Sequence, residues 1–189
     1  MQQDSYSHEQ QRRDARAARK GDREAFGRLY DHLFPRLYGY VAHRVGTKED
    51  AEDVVAEAWL RAVRNLEQFE GGPAGSFSGW IFQIARNLVA DHHRRGRPEF
   101  ATPLEELDRV AGTNPWPQHF TEHGDRQRRI QAVIRTLSPR RQEVVILRYF
   151  GGLRNREIAE LLGLDERTIA SHLSRALSDL QERFIQESL

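Results

Sequence analysis

Three observations predict an all-α chain of two small helical modules joined by a linker. Apolar residues recur at spacings of three and four along 22–95 and again along 124–189, and no segment alternates with the period of two that marks a strand. Four of the seven prolines, Pro98, Pro103, Pro115 and Pro117, fall within 96–123 and forbid one continuous helix there. The chain of 189 residues therefore divides into a polar N-terminal tail at 1–21, a first module at 22–95, a flexible Pro-rich linker at 96–123 and a second module at 124–189.

In the first module Phe26, Leu29, Tyr30, Leu33, Leu37, Tyr38 and Val41 mark one face of a helix that Asp22 caps. Pro35 is expected to kink this helix or start a second, and Gly46 to end it. Thr47 caps the next helix, with the stripe Ala51, Val54, Val55, Ala58, Ala62 and Leu66, and the loop EGGPAG follows. A third helix runs over 77–95 with Trp80, Ile81, Ile84, Leu88 and Val89 inward. In the second module Ile130, Val133, Ile134 and Leu137 mark one helix. Ser138-Pro139 opens another, carrying Val144, Val145, Leu147 and Phe150 until Gly151-Gly152 stops it.

Composition excludes some chemistry. With no cysteine there is no disulfide, thiolate metal site or catalytic thiol. The start lacks the apolar core of a secretory signal, and no run of 18 apolar residues exists, so a cytoplasmic protein without membrane insertion is expected. The net charge of +1 conceals a segregation: residues 1–95 carry 15 basic and 14 acidic groups, 96–123 carry 2 and 5, and 124–189 carry 12 and 9. An acidic linker thus offsets a basic C-terminal module.

The most specific signal is EIAELLGLDERTIASHLSRAL at 157–177. Ile158 and Leu162 face a core, Ala159 lets a second helix approach, Gly163 permits a tight turn, and Asp165 caps a helix with Ile169, Leu173, Ala176 and Leu180 inward. Two helices crossing through a short glycine turn form a helix-turn-helix, whose second helix can enter a major groove. Its outward stripe, Thr168, Ser171, His172 and Arg175 with Arg167 at the N-terminal end, offers donors to base edges and phosphates.

The second helix of the first module concentrates Glu49, Asp50, Glu52, Asp53 and Glu57 in its first half and Arg61 and Arg64 in its second. That order complements the helix dipole, and Asp53 and Glu57 can equally form an acidic face for a basic partner. The third helix carries Gln83, Arg86, Asn87, Asp91, His92, Arg94 and Arg95 on one side, with Phe77 and Trp80 where it leaves a Gly-rich loop. Aromatic residues beside polar and basic groups suit unstacked bases. They also suit an ordinary core under a solvated surface.

Three segments together, DAEDVVAEAWLRA at 50–62, WIFQIARNLVADHHRR at 80–95 and LSPRRQEVVILRYFGGLRNREIAELLGLDERTIASHLSRA at 137–176, resemble bacterial sigma factors of the extracytoplasmic-function group in the sigma-70 family. The resemblance covers 22–95 and 125–183 and implies region 2 and region 4 on a tether. It implies a protein that directs core RNA polymerase to promoters, is not an enzyme, needs no cofactor or metal, and is held in check by an anti-sigma factor. Region 2 would bind the β′ clamp helices through Asp50, Asp53 and Glu57 and hold the opened minus-ten element with the 71–79 loop, Phe77, Ser78, Trp80, Arg86, Asn87, Asp91, His92, Arg94 and Arg95. Region 4 would bind the β subunit and set Arg154, Arg167, Thr168, Ser171, His172 and Arg175 on the minus-thirty-five element.

Departures from the family pattern occur at Ala170 and His172, where basic residues are frequent, at Ala56 and Trp59, and at Arg154, which replaces a Ser or Thr cap and leaves Asn155 as substitute. Two other readings compete. A transcriptional regulator with a C-terminal helix-turn-helix would bind duplex DNA without replacing a polymerase subunit. A metal-dependent phosphoesterase would use Asp91-His92-His93, or His119 and His123, but the companion acidic motifs are missing.

Overall fold

The computed structural model describes residues 6–45, 47–70, 75–96 and 132–186. Gly46, much of the EGGPAG loop, the linker prolines, Ile130, His119 and His123 lie outside these residues. Within them every regular element is helical.

The first element corrects the sequence reading. The stretch read as a polar tail holds helix α1, His8–Arg19, opened by a capping box in which the Ser7 hydroxyl and the Gln10 side chain satisfy each other's backbone N–H groups. α1 is no appendage. Asp14, 8% exposed, accepts Arg28 Nη2 at 2.5 Å and the Tyr6 hydroxyl at 2.5 Å, tying α1 to α2. The Arg28 guanidinium beside it is the main cause that holds the Asp14 carboxyl below its usual range.

Helix α2 spans Arg23–Ala42, and Asp22 caps it by accepting Ala25 N–H at 3.0 Å. Pro35 neither ends this helix nor starts another. The proline removes one backbone donor, but Leu33 and Leu37 on either side are fully buried, and their packing outweighs a single lost hydrogen bond. Helix α3 spans Lys48–Arg64 with Thr47 as its cap, and a 3₁₀ turn, Leu66–Gln68, follows. Helix α4, Phe77–Gly96, buries Phe77, Ile81, Phe82, Ala85, Leu88 and Val89 against α2 and α3.

In the second module residues 132–135 are helical. Helix α5, Pro139–Val145, starts after Ser138, which holds the N-cap position without a side-chain bond. It passes into a π-helical turn, Ile146–Phe150, closed by Gly151 N–H to Ile146 C=O at 2.9 Å. Helix α6, Asn155–Leu162, and helix α7, Glu166–Gln186, cross through Gly163. Gly163 sits at φ +66 with open space where a Cβ would be, so its constraint is the backbone alone. Gly163→Ala is therefore expected to cost about 1 to 2 kcal/mol, read as a lower urea midpoint with an unchanged slope.

The sequence reading treats the modules as separate bodies on a tether, and the structure joins them. The π turn rests on α2, α6 rests on the start of α4, and the buried apolar residues of both form one continuous core.

Candidate nucleic-acid interface

Helix α7 begins as the sequence predicts. Asp165 accepts Thr168 N–H at 2.8 Å and the Thr168 hydroxyl at 2.5 Å, and these bonds hold its carboxyl below the usual range. Ile169, Leu173 and Ala176 anchor the inner face. Opposite them Arg167, Ser171 and Arg175 are exposed, and Thr168 and His172 are partly so. Burial, then Arg140, Arg141 and Arg175, push His172 below its ordinary value of 6.5. The shift favours the uncharged ring, which presents a donor and an acceptor.

Arg154 occupies the N-cap of α6, and Asn155 is the first helical residue, not the substitute cap expected from sequence. Glu157 does the capping instead, accepting Arg154 N–H at 2.8 Å. A glutamate three residues into a helix is half of a capping box, a signal obscured by the arginine in the Ser/Thr position. Glu157 is fully buried, and its other oxygen accepts the hydroxyls of Ser78, at 2.8 Å, and Ser76, both from the start of α4. One carboxylate thus caps a helix of one module and binds the other.

The seam has further polar ties. Glu143, 1% exposed, accepts Arg86 Nε at 3.2 Å and lies 3.5 Å from Arg44 Nη2, itself on a residue 6% exposed. Burial pushes the Glu143 carboxyl up, but Arg44 and Arg86 outweigh it and hold the group below its ordinary range. Arg36 Nε donates to Gly151 C=O at 3.1 Å, and Nη2 donates to Gly152 C=O. The His43 ring centroid lies 3.9 Å from that of Phe150, the two planes tilted by 48°.

These contacts sort the α4 residues. Phe77 is fully buried among Trp59, Phe69 and Trp80, so it is a core residue here and cannot meet a base without leaving that cluster. Ser78 is buried and held by Glu157, and Arg86 is held by Glu143. Both were expected at an open surface, and the C-terminal module covers them. Trp80 is half-buried. Asn87 is exposed and accepts Gln83 Nε2 at 3.2 Å. Asp91 accepts Arg94, Arg95 donates to the Asp91 carbonyl, and His92 Nε2 lies 3.8 Å from Asp50. No three His, Cys, Asp or Glu side chains converge on a metal-sized site among the described residues.

On α3, Asp50, Asp53 and Glu57 share one face at helical spacing. Asp50 accepts the Thr47 hydroxyl at 2.7 Å, and Asp53 points to solvent. Glu57 accepts Arg61 Nε at 2.7 Å, the main cause that holds its carboxyl down. Leu60, 50% exposed, continues this face one turn on and was missed in the sequence because it completes no apolar stripe.

A short-turn helix pair with a basic outer stripe, preceded by an acidic-faced helix bundle, is matched in known proteins. Residues 29–99 match the family described as Sigma-70 region 2, and residues 127–180 match Sigma-70, region 4. The chain belongs to the sigma-70 family. Over 163 residues it is 34% identical to the ECF RNA polymerase sigma factor BldN of Streptomyces coelicolor, covering 86% of this chain and 61% of that relative. The sigma chain thus spans about three fifths of that relative's length. Two solved structures share its fold. CnrH in complex with the cytosolic domain of CnrY is 24% identical, covers 94% of this chain and 98% of its own, and has a TM-score of 0.64. RpoE in complex with the anti-sigma factor NepR from Bartonella quintana is 22% identical, covers 83% and 94%, and has a TM-score of 0.60. The sigma-70 family is not a class of enzymes, and no helix among the described residues is long and apolar enough to cross a membrane.

Proposed function

We propose that this sigma factor directs core RNA polymerase to promoters in the cytoplasm and helps open the minus-ten element, without catalytic activity of its own and under the control of an anti-sigma factor. The observation that carries the reading is the exposed α7 stripe. Arg167, Thr168, Ser171, His172 and Arg175 project from a helix fixed by the Gly163 turn and the Asp165 cap, as a major-groove reader requires. In this reading residues 124–189, with Arg154, serve the minus-thirty-five element. Residues 22–95, now extended by α1, dock on polymerase through Asp50, Asp53, Glu57 and the apolar Leu60. Asn87, Trp80, His92, Arg94 and Arg95 line the surface for unstacked bases. Arg86 and Ser78 join them only after the C-terminal module departs.

Run-off transcription with core polymerase on a promoter library tests the function and reads its target together. A regulator that binds duplex DNA alone would give no polymerase-dependent initiation. Arg175→Ala is expected to weaken closed-complex formation by about 1 to 3 kcal/mol, the scale of one base or phosphate contact. Asn87→Ala is expected to leave closed-complex binding near wild type and reduce the open fraction, followed by permanganate reactivity. Equal loss of closed-complex binding in both variants would contradict the division of labour.

A further inference from the structure

A concave surface at the seam, which shares Arg154 with the proposed minus-thirty-five surface, gathers positive charge. Arg12, Arg13 and Arg16 of α1, Ser76 ahead of α4 and Arg154 of the C-terminal module line a cavity of about 620 Å³. Two carboxylates stand against four guanidiniums. Glu9 is 87% exposed and lies 3.8 Å from Arg13. Glu157 is buried beneath, its oxygens bonded to Ser76, Ser78 and the Arg154 backbone and 3.8 Å from both Arg154 Nε and His8 Nδ1. Arg12 and Arg16 have no ion-pair or hydrogen-bond partner among the described residues. They are like charges one helical turn apart, an arrangement that destabilises a helix unless an anion sits between them.

The lining also limits what the anion can be. The cavity is the size of a small-ligand site and exceeds what a single phosphate fills. His8 is the one ring in the lining, its Nδ1 3.8 Å from Glu157, and no Phe, Tyr, Trp or large apolar side chain beside it offers a broad face for a base. Guanidinium forks match phosphoryl oxygens in pairs. We propose that this cavity binds a compact polyphosphate, holding linked phosphate groups through Arg12, Arg16 and Arg154 with no recognition of a base. Because α1 and Arg154 belong to different modules, the site is complete only when they are in contact. The ligand therefore favours the closed arrangement by mass action.

Titration calorimetry of the full chain with pyrophosphate at about 0.15 M salt, where loose surface attraction is screened, tests this directly. The expected result is saturable binding of one pyrophosphate per chain. Arg12→Ser, Arg16→Ser and Arg154→Ser should each weaken it on the order of tenfold, with unchanged helical circular dichroism. Orthophosphate should bind at least about tenfold more weakly, since it reaches fewer of the arginines. A nucleoside triphosphate should match pyrophosphate if only phosphates are read; a clear gain from the nucleoside would overturn the claim that no base is recognised. Absence of saturation, indifference to the α1 substitutions, or an effect of those substitutions without one of Arg154→Ser would each overturn the proposal. So would binding of a short DNA duplex through the same arginines with none of pyrophosphate. Transcription is not the readout, so failure here and failure of the proposed function are distinguishable.

Discussion

Glu143→Ala should lower the stability of the folded chain by about 3 to 5 kcal/mol, the cost of breaking a buried ion pair from one side. Alanine would leave Arg44, 6% exposed, and the nearly covered Arg86, both on the first module, at the seam without a counter-charge. The penalty comes from the stranded guanidiniums. Arg44→Met and Arg86→Met with Glu143→Leu, which removes all three charges and keeps most of the volume, should restore most of it. Guanidinium unfolding midpoints measure the cycle; a loss below about 1 kcal/mol for Glu143→Ala would place this pair among ordinary surface salt bridges. Acid should loosen the same seam. Glu143 is depressed from 4.5, so its contribution is present above that value and is lost as pH falls through its lower folded value. His43 acts earlier. Its Nε2 is buried although the residue is partly exposed, and burial lowers it from 6.5 to about 3. The unfolded chain therefore takes up a proton below about pH 6.5 that the folded chain refuses, and stability falls from there toward pH 3.

What could be read from the sequence is what depends on neighbouring residues. Asp22, Thr47 and Asp165 cap the helices assigned to them, because a cap is a contact between a side chain and a backbone group three residues on. The α2 and α7 stripes follow from apolar spacing, and the recognition-helix candidates Arg167, Ser171 and Arg175 are exposed. α1 escaped because the residues it buries are Gln11, Asp14, Ala15 and Ala18, which make no apolar stripe, and its anchor Arg28 lies 14 positions away. The seam escaped for the same reason on a larger scale. Ser78–Glu157 and Arg36–Gly151 are separated by 79 and 115 positions, and no local pattern marks a glutamate as one end of such a contact. The placement of Ser78 at an open surface follows directly, since Glu157, which holds it, comes from the other half of the chain, whereas Phe77 is covered within its own module by Trp59, Phe69 and Trp80.

Gly39→Cys with Phe150→Cys should lock the two modules together and abolish promoter opening until a reductant is added. A Cβ built on Gly39 lies 3.9 Å from the Phe150 Cβ, within the span a disulfide bridges. The chain has no other cysteine, so the introduced pair has no competitor. Closing a loop of this length should stabilise the oxidised protein by up to about 5 kcal/mol, less whatever is lost by removing the Phe150 ring from His43. The functional effect follows from distance. Two promoter elements about 25 base pairs apart on a duplex rising 3.4 Å per pair are separated by roughly 85 Å. A compact chain of 189 residues has a radius of gyration of only about 16 Å. Residues 96–123 at full extension reach roughly 95 Å, enough for both sites once the modules part and of no use while they are bonded. The oxidised protein should still bind a minus-thirty-five duplex, because the α7 stripe is exposed in the closed form, while run-off transcription falls to background and recovers with dithiothreitol. Full transcription by the oxidised protein, with the disulfide verified by mass, would mean that the closed arrangement itself engages both elements, and the tether argument would fail.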